Sequence, residues 1–451
     1  MLLRWRLPRR HWRRYIGLPL AVVLSVLSSA AFAHARSNVP QIVAFGDLRG
    51  ELLPCGCSAE GQMGGLARRE SYWNGLLSAS SAGTEPPLLV DLGNNFPVPS
   101  PQGRLKIDVI QAYFARMPAD AILPGPAELQ VGHLALDHRL PYLLTNNEIA
   151  GTFAPVRTVK RARGEIVLLG YLSPTLVYQG LHEDSYRLAK ANAALLKRMR
   201  GLIRSAAAQH AVLLFRGDDA ELARFARSGL FSTIIVGNPS ADETNNKTSR
   251  KIGGRSYPQV ATKGQAATQL ALGKRVSAQV EWLTEKYADA PLAMSALKIY
   301  DAKVKQLFES ETAARQTAAQ HSPFVGADAC KQCHVTSFST WQASPHAQAL
   351  SSLSKVGKQF DPECLECHVV GLNARGFVSA EATPDLAGVQ CESCHGAAKA
   401  HAANPARARL VGSAGPSAAP PAEGVCRTCH RGAHSPKFEF ARYWPRIAHG
   451  N

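Results

Sequence analysis

The sequence lacks the features that mark a membrane-spanning or a nucleic-acid-binding protein. After residue 33 it has no apolar run of the roughly 20 residues that a membrane-spanning helix needs. It has no stretch of Lys and Arg with interleaved aromatic residues, which would indicate a nucleic-acid face. No methionine follows Met294. With 45% hydrophobic and 19% charged residues, the composition is that of an ordinary globular protein.

Residues 1–33 are predicted to be a cleaved export signal. They contain six arginines and no acidic residue, together with the apolar run YIGLPLAVVLSVLSS and the small residues AFA. A retained membrane anchor is the alternative, although the run is short for a span. Cleavage after Ala33 would leave 45 basic and 34 acidic residues, a net charge of +11. We therefore expect a periplasmic protein with no transmembrane segment in the mature chain and a charge that suits an acidic protein partner or an anionic membrane surface.

The ten cysteines form five close pairs, and four of the pairs belong to one repeated pattern. This pattern, C-x-x-C-H, occurs at 330–334, 364–368, 391–395 and 426–430. Its two thiols can form thioethers to vinyl groups on one edge of a porphyrin, and the histidine that follows can bind the iron. Zinc sites do not require a histidine after every second cysteine, and disulfides would give the histidines no role.

We therefore expect four covalently attached haem c groups. The predicted thioether cysteines are Cys330, Cys333, Cys364, Cys367, Cys391, Cys394, Cys426 and Cys429. The predicted proximal iron ligands are His334, His368, His395 and His430. Export and haem attachment support each other, because c-type haem is added to an unfolded chain after translocation.

The second axial ligands are expected to be histidines, because no methionine lies in the motif region. The candidates are His346, His401 and His449, and bis-histidine ligation predicts low reduction potentials. Two nitrogens on opposite faces of one iron need a flat macrocycle between them, each at about 2 Å. Only six residues separate His395 from His401, so we expect His401 to bind a neighbouring haem.

Two further histidines are weaker candidates. His434 follows His430 by four residues and cannot reach the far side of its own haem. It could bind another haem or none. His321 lies ahead of the motifs in a polar stretch and is expected at the surface.

The segments FVGADACKQCHVTSFSTWQASPHAQAL, CLECHVVG, GVQCESCHGAAKAH and CRTCHRGAHSPKFEFARYWPRIAHG resemble the cytochrome c-552/4 type, which includes cytochrome c-554. The resemblance covers about residues 324–451. It implies a mostly α-helical tetrahaem domain that passes electrons, and it supports His346, His401 and His449 as distal ligands. The resemblance also allows one haem without a sixth ligand, which leaves the role of His434 open.

Residues 40–285 are predicted to form an α/β domain. Short apolar strands are expected in QIVAFGD, PLLVDLG, DAILPG, IVLLGYL, HAVLLFRG and TIIVGN. The stretch 184–209 is expected to be one long helix, and 291–320 another. The predicted organisation is thus a signal at 1–33, the α/β domain at 40–285, a helical linker at 286–323 and a multihaem domain at 324–451. Because apolar runs are few in the last part, the macrocycles are expected to serve as its core.

The order of loops in the first half resembles the calcineurin-like metallophosphatases of the exported nucleotidase type. FGDLRGELLP, GGLARRE, DLGNNF, PGPAEL, LLFRGDD and VGNPSAD fall where that family keeps its metal-binding loops. Asp47 is retained, but residues that cannot serve as the same ligands stand at the other positions. These are Arg49, Asn94, Pro126, Ala127, Arg216, Asn238 and Ser240. Phosphatase activity is therefore not expected, and Arg49 and Arg216 are predicted to replace the lost cations beside Asp47.

Cys55 and Cys57 lie in a loop beside this degenerate site. They could form a local disulfide, remain as two thiols, bind a metal or act as a redox pair.

Three functions remain open from the sequence. The first is an electron carrier whose partners would be other cytochromes, a membrane quinol dehydrogenase or a terminal reductase, with the inactive domain used for docking or positioning. The second is an oxidoreductase that acts on a small nitrogen or sulfur species at a five-coordinate haem. The third is a ligand-binding sensor or scaffold.

Overall fold

The computed structural model describes residues 41–54, 62–80, 85–117, 119–162, 164–177, 186–238, 247–273, 275–406, 423–431, 435 and 437–449. The predicted export signal, Cys55, Cys57, Ser240 and His434 lie outside these residues. No helix in the described ranges is long and apolar enough to cross a membrane.

A mixed sheet forms one half of the amino-terminal region. Its strand order is β11-β10-β1-β2-β3. The strands are β1 (Ile42–Phe45), β2 (Leu88–Asp91), β3 (Ala121–Ile122), β10 (Ala266–Ala271) and β11 (Ser277–Trp282). β1, β2 and β3 run parallel, whereas β10 is antiparallel to β1 and to β11. All residues of β1 and β2 are buried, as expected for parallel strands covered on both faces.

A second sheet has the order β4-β5-β6-β7. Its strands are β4 (Arg157–Arg161), β5 (Gly164–Leu172), β6 (His210–Arg216) and β7 (Thr233–Val236). A separate hairpin pairs β8 (Ser249–Ile252) with β9 (Arg255–Pro258). β5, β6 and β7 are parallel, and β4 is antiparallel to β5.

Alternate residues of β5 face two different apolar clusters. Leu168 and Leu172 join a core that contains residues of both sheets. Leu169 and Tyr171 face the other way, into a cluster with Phe225. This period of two is that of a strand buried on both faces. The expected α/β sandwich is therefore confirmed.

The helices of the amino-terminal region cover the outer faces of the sheets. They are Leu66–Ser80, Pro101–Arg116, Pro126–Gln130, Ala193–Ser205 and Asp219–Arg227, with 3-10 turns at His133–Ala135, Pro174–Leu176 and Thr262–Gly264. The single helix expected over 184–209 is wrong, because the helix begins only at Ala193. The Asn192 side chain caps it by accepting a 3.0 Å hydrogen bond from the Leu195 amide. Residues 186–189 instead bond in extended form to residues 146–148.

Two consecutive helices, Pro291–Ser310 and Thr312–Ala319, connect the two halves. The single helix expected over 291–320 is thus divided at Glu311, whose backbone remains close to helical. Leu297 and Val304 belong to the core of the amino-terminal region, and Phe308 belongs to an apolar cluster of the carboxy-terminal region. The first connector helix therefore packs into both halves.

The carboxy-terminal region is built from short helices. They are Ala327–Lys331, Val335–Gln342, Ala349–Ser354, Pro362–His368, Cys391–His395, Lys399–Ala403, Glu423–Cys426 and Phe440–Tyr443, with 3-10 turns at Pro345–Gln348, Pro384–Leu386 and Trp444–Arg446. An apolar cluster forms around the second motif, from Phe308, Leu350, Leu353, Leu365, Val369, Val370, Phe377 and Leu386. The expectation that macrocycles alone supply the core of this region is therefore wrong near the second motif.

Candidate functional site

Each C-x-x-C-H motif lies on a short helix or the turn that ends one. In the first motif the His334 amide donates a 2.9 Å hydrogen bond to the Cys330 carbonyl, and His430 and Cys426 repeat this contact in the fourth. The second and third motifs lie within the helices Pro362–His368 and Cys391–His395. One helical turn thus carries the first cysteine and the histidine of each motif on the same side of the backbone.

Three pairs of histidine rings face each other across a constant gap. Their ring centres are 6.3 Å apart for His334 and His401, 6.1 Å for His346 and His430, and 6.0 Å for His395 and His449. Two imidazole nitrogens that each bind one iron at about 2 Å are about 4 Å apart, which puts the ring centres about 6 Å apart. The donor set therefore fits three irons that each have two histidine ligands.

Each pair joins a motif histidine to a histidine from a distant segment. His401 lies against His334 of the first motif, where it would ligate a neighbouring haem rather than the haem of its own motif. His449 lies against His395 of the third motif, and His346 against His430 of the fourth. The three predicted distal histidines are thus brought to three different motifs.

Hydrogen bonds to Nδ1 orient several of these rings. Nδ1 of His368 donates to the Ala349 carbonyl at 2.7 Å, and Nδ1 of His449 donates to the Ile447 carbonyl at 2.8 Å. His430 Nδ1 lies 3.0 Å from the Ser435 hydroxyl. Such bonds leave Nε2 available for a metal and fix the direction in which it points.

Partial burial also favours the protonation state that metal binding needs. It lowers the pKa of His346, His395 and His430 below the usual value for histidine. These imidazoles are therefore held in the neutral form, which is the form that ligates a metal.

His368 differs from the other motif histidines. Among the described residues no second imidazole faces it, and its Nδ1 donates a hydrogen bond to the Ala349 carbonyl. His434 lies outside the described residues, and His321 is exposed after the second connector helix. The second motif thus has its own histidine and, in the described part of the chain, no second histidine opposite it.

Contacts between thiols show which motifs are neighbours. The Cys330 thiol lies beside that of Cys391, and the Cys367 thiol lies beside that of Cys429. Burial raises the pKa of the Cys394 thiol to about 11, with a further contribution from Cys426 and Cys429. The first motif therefore contacts the third, the fourth contacts the second, and the third lies beside the fourth.

The degenerate site of the amino-terminal region is closed by side-chain contacts around Asp47. Arg49 contacts one carboxylate oxygen of this fully buried residue at 3.0 Å. The other oxygen accepts hydrogen bonds from the side-chain amide of Asn94 at 2.9 Å and from the Arg216 guanidinium at 3.4 Å. The Arg216 guanidinium is also buried, and it donates to the carbonyls of Leu92, Gly93 and Asn238.

Strained backbone accompanies this cluster. Asp47, Arg49 and Asn94 have φ values of 57°, 52° and 59°, in the left-handed region that side chains other than glycine rarely adopt. Pro126 and Ala127 begin a short helix nearby. The loops that face Asp47 are therefore held by contacts that offset the cost of this conformation.

Two buried acids that were not predicted from the sequence organise the same loops. The Glu128 carboxylate accepts hydrogen bonds from the amides of Asn94, Asn95 and Gly125 at 2.7–2.8 Å. Asp91 forms a 2.9 Å ion pair with Arg69. Pro126 followed two residues later by Glu128 was the available signal for the first, because an acid at this place caps the start of a helix.

Comparison with known sequences supports the cytochrome resemblance of the carboxy-terminal region. Residues 329–396 match the family model described as cytochrome c554 and c-prime. Cytochrome c-554 of Nitrosomonas europaea is 37% identical over 97 residues, which cover 18% of this chain and 41% of that protein. The chain thus spans about two fifths of the length of this relative. The carboxy-terminal region is therefore similar to cytochrome c-554.

Solved structures similar to the amino-terminal region are phosphohydrolases and related enzymes. A 5'-nucleotidase precursor of Thermus thermophilus is 17% identical, with a TM-score of 0.48 and coverage of 58% of both chains. The sulfate thiohydrolase SoxB of the same organism is 15% identical, with a TM-score of 0.47 over 58% of this chain and 60% of that one. The calcineurin-like phosphoesterase YfkN of Bacillus subtilis is 13% identical, with a TM-score of 0.41 over 58% of this chain and 96% of that one. The likeness concerns the fold alone.

Proposed function

We propose that the chain is a periplasmic electron carrier with four covalent haem c groups. The observation that carries this proposal is the set of three histidine pairs at 6.0–6.3 Å, each of which includes one motif histidine. Bound haem c supplies one-electron chemistry at iron, and bis-histidine ligation favours low reduction potentials. The contacts between motifs would keep neighbouring groups close enough for relay.

The residues of the motif region would have three roles. The eight motif cysteines would hold the porphyrins by thioethers, and the four motif histidines would be the proximal ligands. His401, His346 and His449 would be distal ligands for the first, fourth and third motifs. Redox partners of this carrier would be other cytochromes, a membrane quinol dehydrogenase or a terminal reductase.

The amino-terminal region would be catalytically inactive. Asp47, the metal-ligand position that the sequence retains, is fully buried and bonded to two guanidinium groups and an amide. A buried carboxylate with these partners has its charge balanced inside the protein, so it is a poor ligand for a divalent cation.

This region would instead position the second motif. Nε2 of the buried Gln102 donates to the Tyr300 hydroxyl at 2.9 Å and to Asp361 at 2.8 Å. Asp361 caps the helix Pro362–His368, which carries the second motif. Beside this contact, Lys106 forms a 2.6 Å ion pair with Glu363. The helix that presents Cys364, Cys367 and His368 is thus tied to the amino-terminal region at its first turn.

An oxidoreductase is the second candidate, and the environment of His368 favours it. A haem at the second motif would have one protein ligand from the described residues, so a small molecule could bind the opposite face. The substrate class would be a small nitrogen or sulfur species.

Electron paramagnetic resonance on the exported holoprotein, paired with its intact mass, tests these proposals. A mass increase equal to four haems with three low-spin bis-histidine signals is expected. A fourth, high-spin ferric signal would favour the second candidate, and four low-spin signals would favour pure relay. A colourless chain with the mass of its amino acids alone would contradict both.

A further inference from the structure

The charge of the carboxy-terminal region is divided unequally between its motifs. The described residues from 423 to 449 include five basic residues and two acidic ones. The basic residues, here called the basic face, are Arg427, Arg431, Lys437, Arg442 and Arg446, and the acidic ones are Glu423 and Glu439. All five basic residues are exposed. The basic face therefore surrounds the fourth motif with positive charge.

The segment that carries the second and third motifs has no comparable set of basic residues. Between residues 359 and 398 there is one basic residue, Arg375, and there are six acidic ones. The acidic residues are Asp361, Glu363, Glu366, Glu381, Asp385 and Glu392. A positive field concentrated at one motif orients an approaching acidic protein, so the fourth motif is where such a partner would be drawn.

Aromatic rings connect the basic face to His430. Phe438 stacks on the His430 ring with centres 4.7 Å apart, and Tyr443 lies 6.0 Å from the same ring. The Arg427 guanidinium lies over Phe438 at 5.5 Å, and that of Arg446 over Tyr443 at 5.1 Å. Cation–π contacts of this kind hold both charges beside the ligand of the fourth motif.

Exposure of this segment brings the fourth motif near solvent. Every described residue between 423 and 449 keeps part of its surface exposed, including Cys426, Cys429 and His430. By contrast, Leu365 inside the second motif is fully buried, and Gln102 and Lys106 of the amino-terminal region cover the start of its helix. The start of the second-motif helix is thus covered by the amino-terminal region, whereas the described residues around the fourth motif are partly or fully exposed.

We propose that the basic face binds an acidic surface of a redox partner protein, and that electrons enter or leave this chain at the fourth motif. The inference depends on the proposed function, because it needs a haem at Cys426 and Cys429. In each transfer, one electron moves between the partner's centre and one haem iron. A ferric iron becomes ferrous or the reverse, and no proton or chemical group is exchanged.

The test uses a small acidic protein, reduced plant-type ferredoxin, as the electron donor to the oxidised holoprotein. The docking variant carries Arg442→Glu and Arg446→Glu. The control carries Arg200→Glu and Arg204→Glu on the helix Ala193–Ser205, where both side chains are exposed. The two variants have the same net charge, so they differ only in where the charge was reversed.

Stopped-flow rates at low ionic strength are expected to fall about tenfold in the docking variant and by less than about twofold in the control. The difference should disappear at about 0.5 M salt, where the screening length is only a few ångströms. Equal rates for the two variants would overturn the inference.

Two further measurements separate the possible causes of a changed transfer rate. The intact mass of each variant must show four haems, because loss of haem would count against the proposed function rather than against docking. If the Glu variant loses haem, Arg442→Gln with Arg446→Gln replaces it, and an intermediate loss of rate is expected. Equal ferredoxin rates together with loss of binding to phosphatidylglycerol vesicles would assign the basic face to a membrane and overturn the inference.

Discussion

The charge of Asp47 is balanced entirely by neighbouring side chains. Arg49, Asn94 and Arg216 contact its two carboxylate oxygens, and the carboxylate has no exposure to solvent. Arg216 is itself buried, so the positive and the negative charge depend on each other. Removal of one partner of a buried ion pair leaves the other without compensation.

Asp47→Asn should therefore destabilise the amino-terminal region by about 3 kcal/mol, because Arg216 keeps its charge without its counterion. Hydrogen exchange at the β1 and β2 amides, followed by mass spectrometry, measures this loss locally. Glu309→Gln, which breaks an exposed pair with Lys305 on the connector, is the control and should cost about 0.3 kcal/mol or less. Equal protection in the two variants would mean that the Asp47 charge contributes nothing.

At the residue scale, the sequence predicted which residues of each motif act together, but not which distant residues face them. The spacing of Cys391, Cys394 and His395 predicts haem attachment within one helical turn. That His401 faces His334 depends on how separate segments pack, and spacing could only exclude the haem of its own motif. The contacts of Arg49 and Arg216 with Asp47 were proposed from the replacements, whereas the carboxylate of Glu128 was missed.

Among the elements, the helix Pro101–Arg116 links the two halves of the molecule. Gln102 reaches across to Tyr300 on the connector and to Asp361 at the start of the second-motif helix. All three side chains are buried, so none can exchange its partner for water without cost.

Gln102→Ala should cost about 2 kcal/mol, because it leaves the Asp361 carboxylate and the Tyr300 hydroxyl without their shared donor. It should also shift the potential and spectrum of the haem at the second motif and leave the other three unchanged. Spectroelectrochemistry measures both. Arg104→Ala, an exposed change on the same helix, should leave all four unchanged. A uniform shift of every haem would argue for general unfolding instead.

Strands were easier to predict than helix boundaries. The six expected strands lie where the structure has β1, β2, β3, β5, β6 and β7, because continuous apolar runs bounded by Gly, Asp or Pro leave few alternatives. Five strands were missed, namely β4, β8, β9, β10 and β11, since their sequences mix polar and apolar residues. The helix expected from residue 184 fails because residues near Leu188 bond to a distant loop, and this tertiary pairing outweighs helix propensity.

At the scale of the whole molecule, Phe308 joins the connector to the carboxy-terminal region. Its ring is 2% exposed, packs 6.0 Å from Phe360, and lies under the Arg315 guanidinium at 3.8 Å. Val304, one turn earlier, belongs to the other core. The helix Pro291–Ser310 is thus packed into the cores of both halves and couples them.

Phe308→Ala should remove about 3–4 kcal/mol from this junction, since it leaves a cavity in the carboxy-terminal cluster. We expect the thermal transition followed by haem absorbance to separate from that followed by far-ultraviolet circular dichroism. Ile299→Ala, a change of a 59% exposed side chain on the same helix, should leave the two transitions together. Coincident transitions in both variants would show that the halves are not coupled through Phe308.

In the proposed holoprotein, the histidine pairs would also set the order of the steps by which the molecule matures. Each thioether bond needs only one pentapeptide, but each second axial bond needs a chain segment that lies far away, and His449 comes 54 residues after His395. A polypeptide fully loaded with haem but still unfolded would therefore have a different colour from the finished protein. The spin state of the irons would change as each of the three second axial bonds forms, so the absorption spectrum would report the progress of folding.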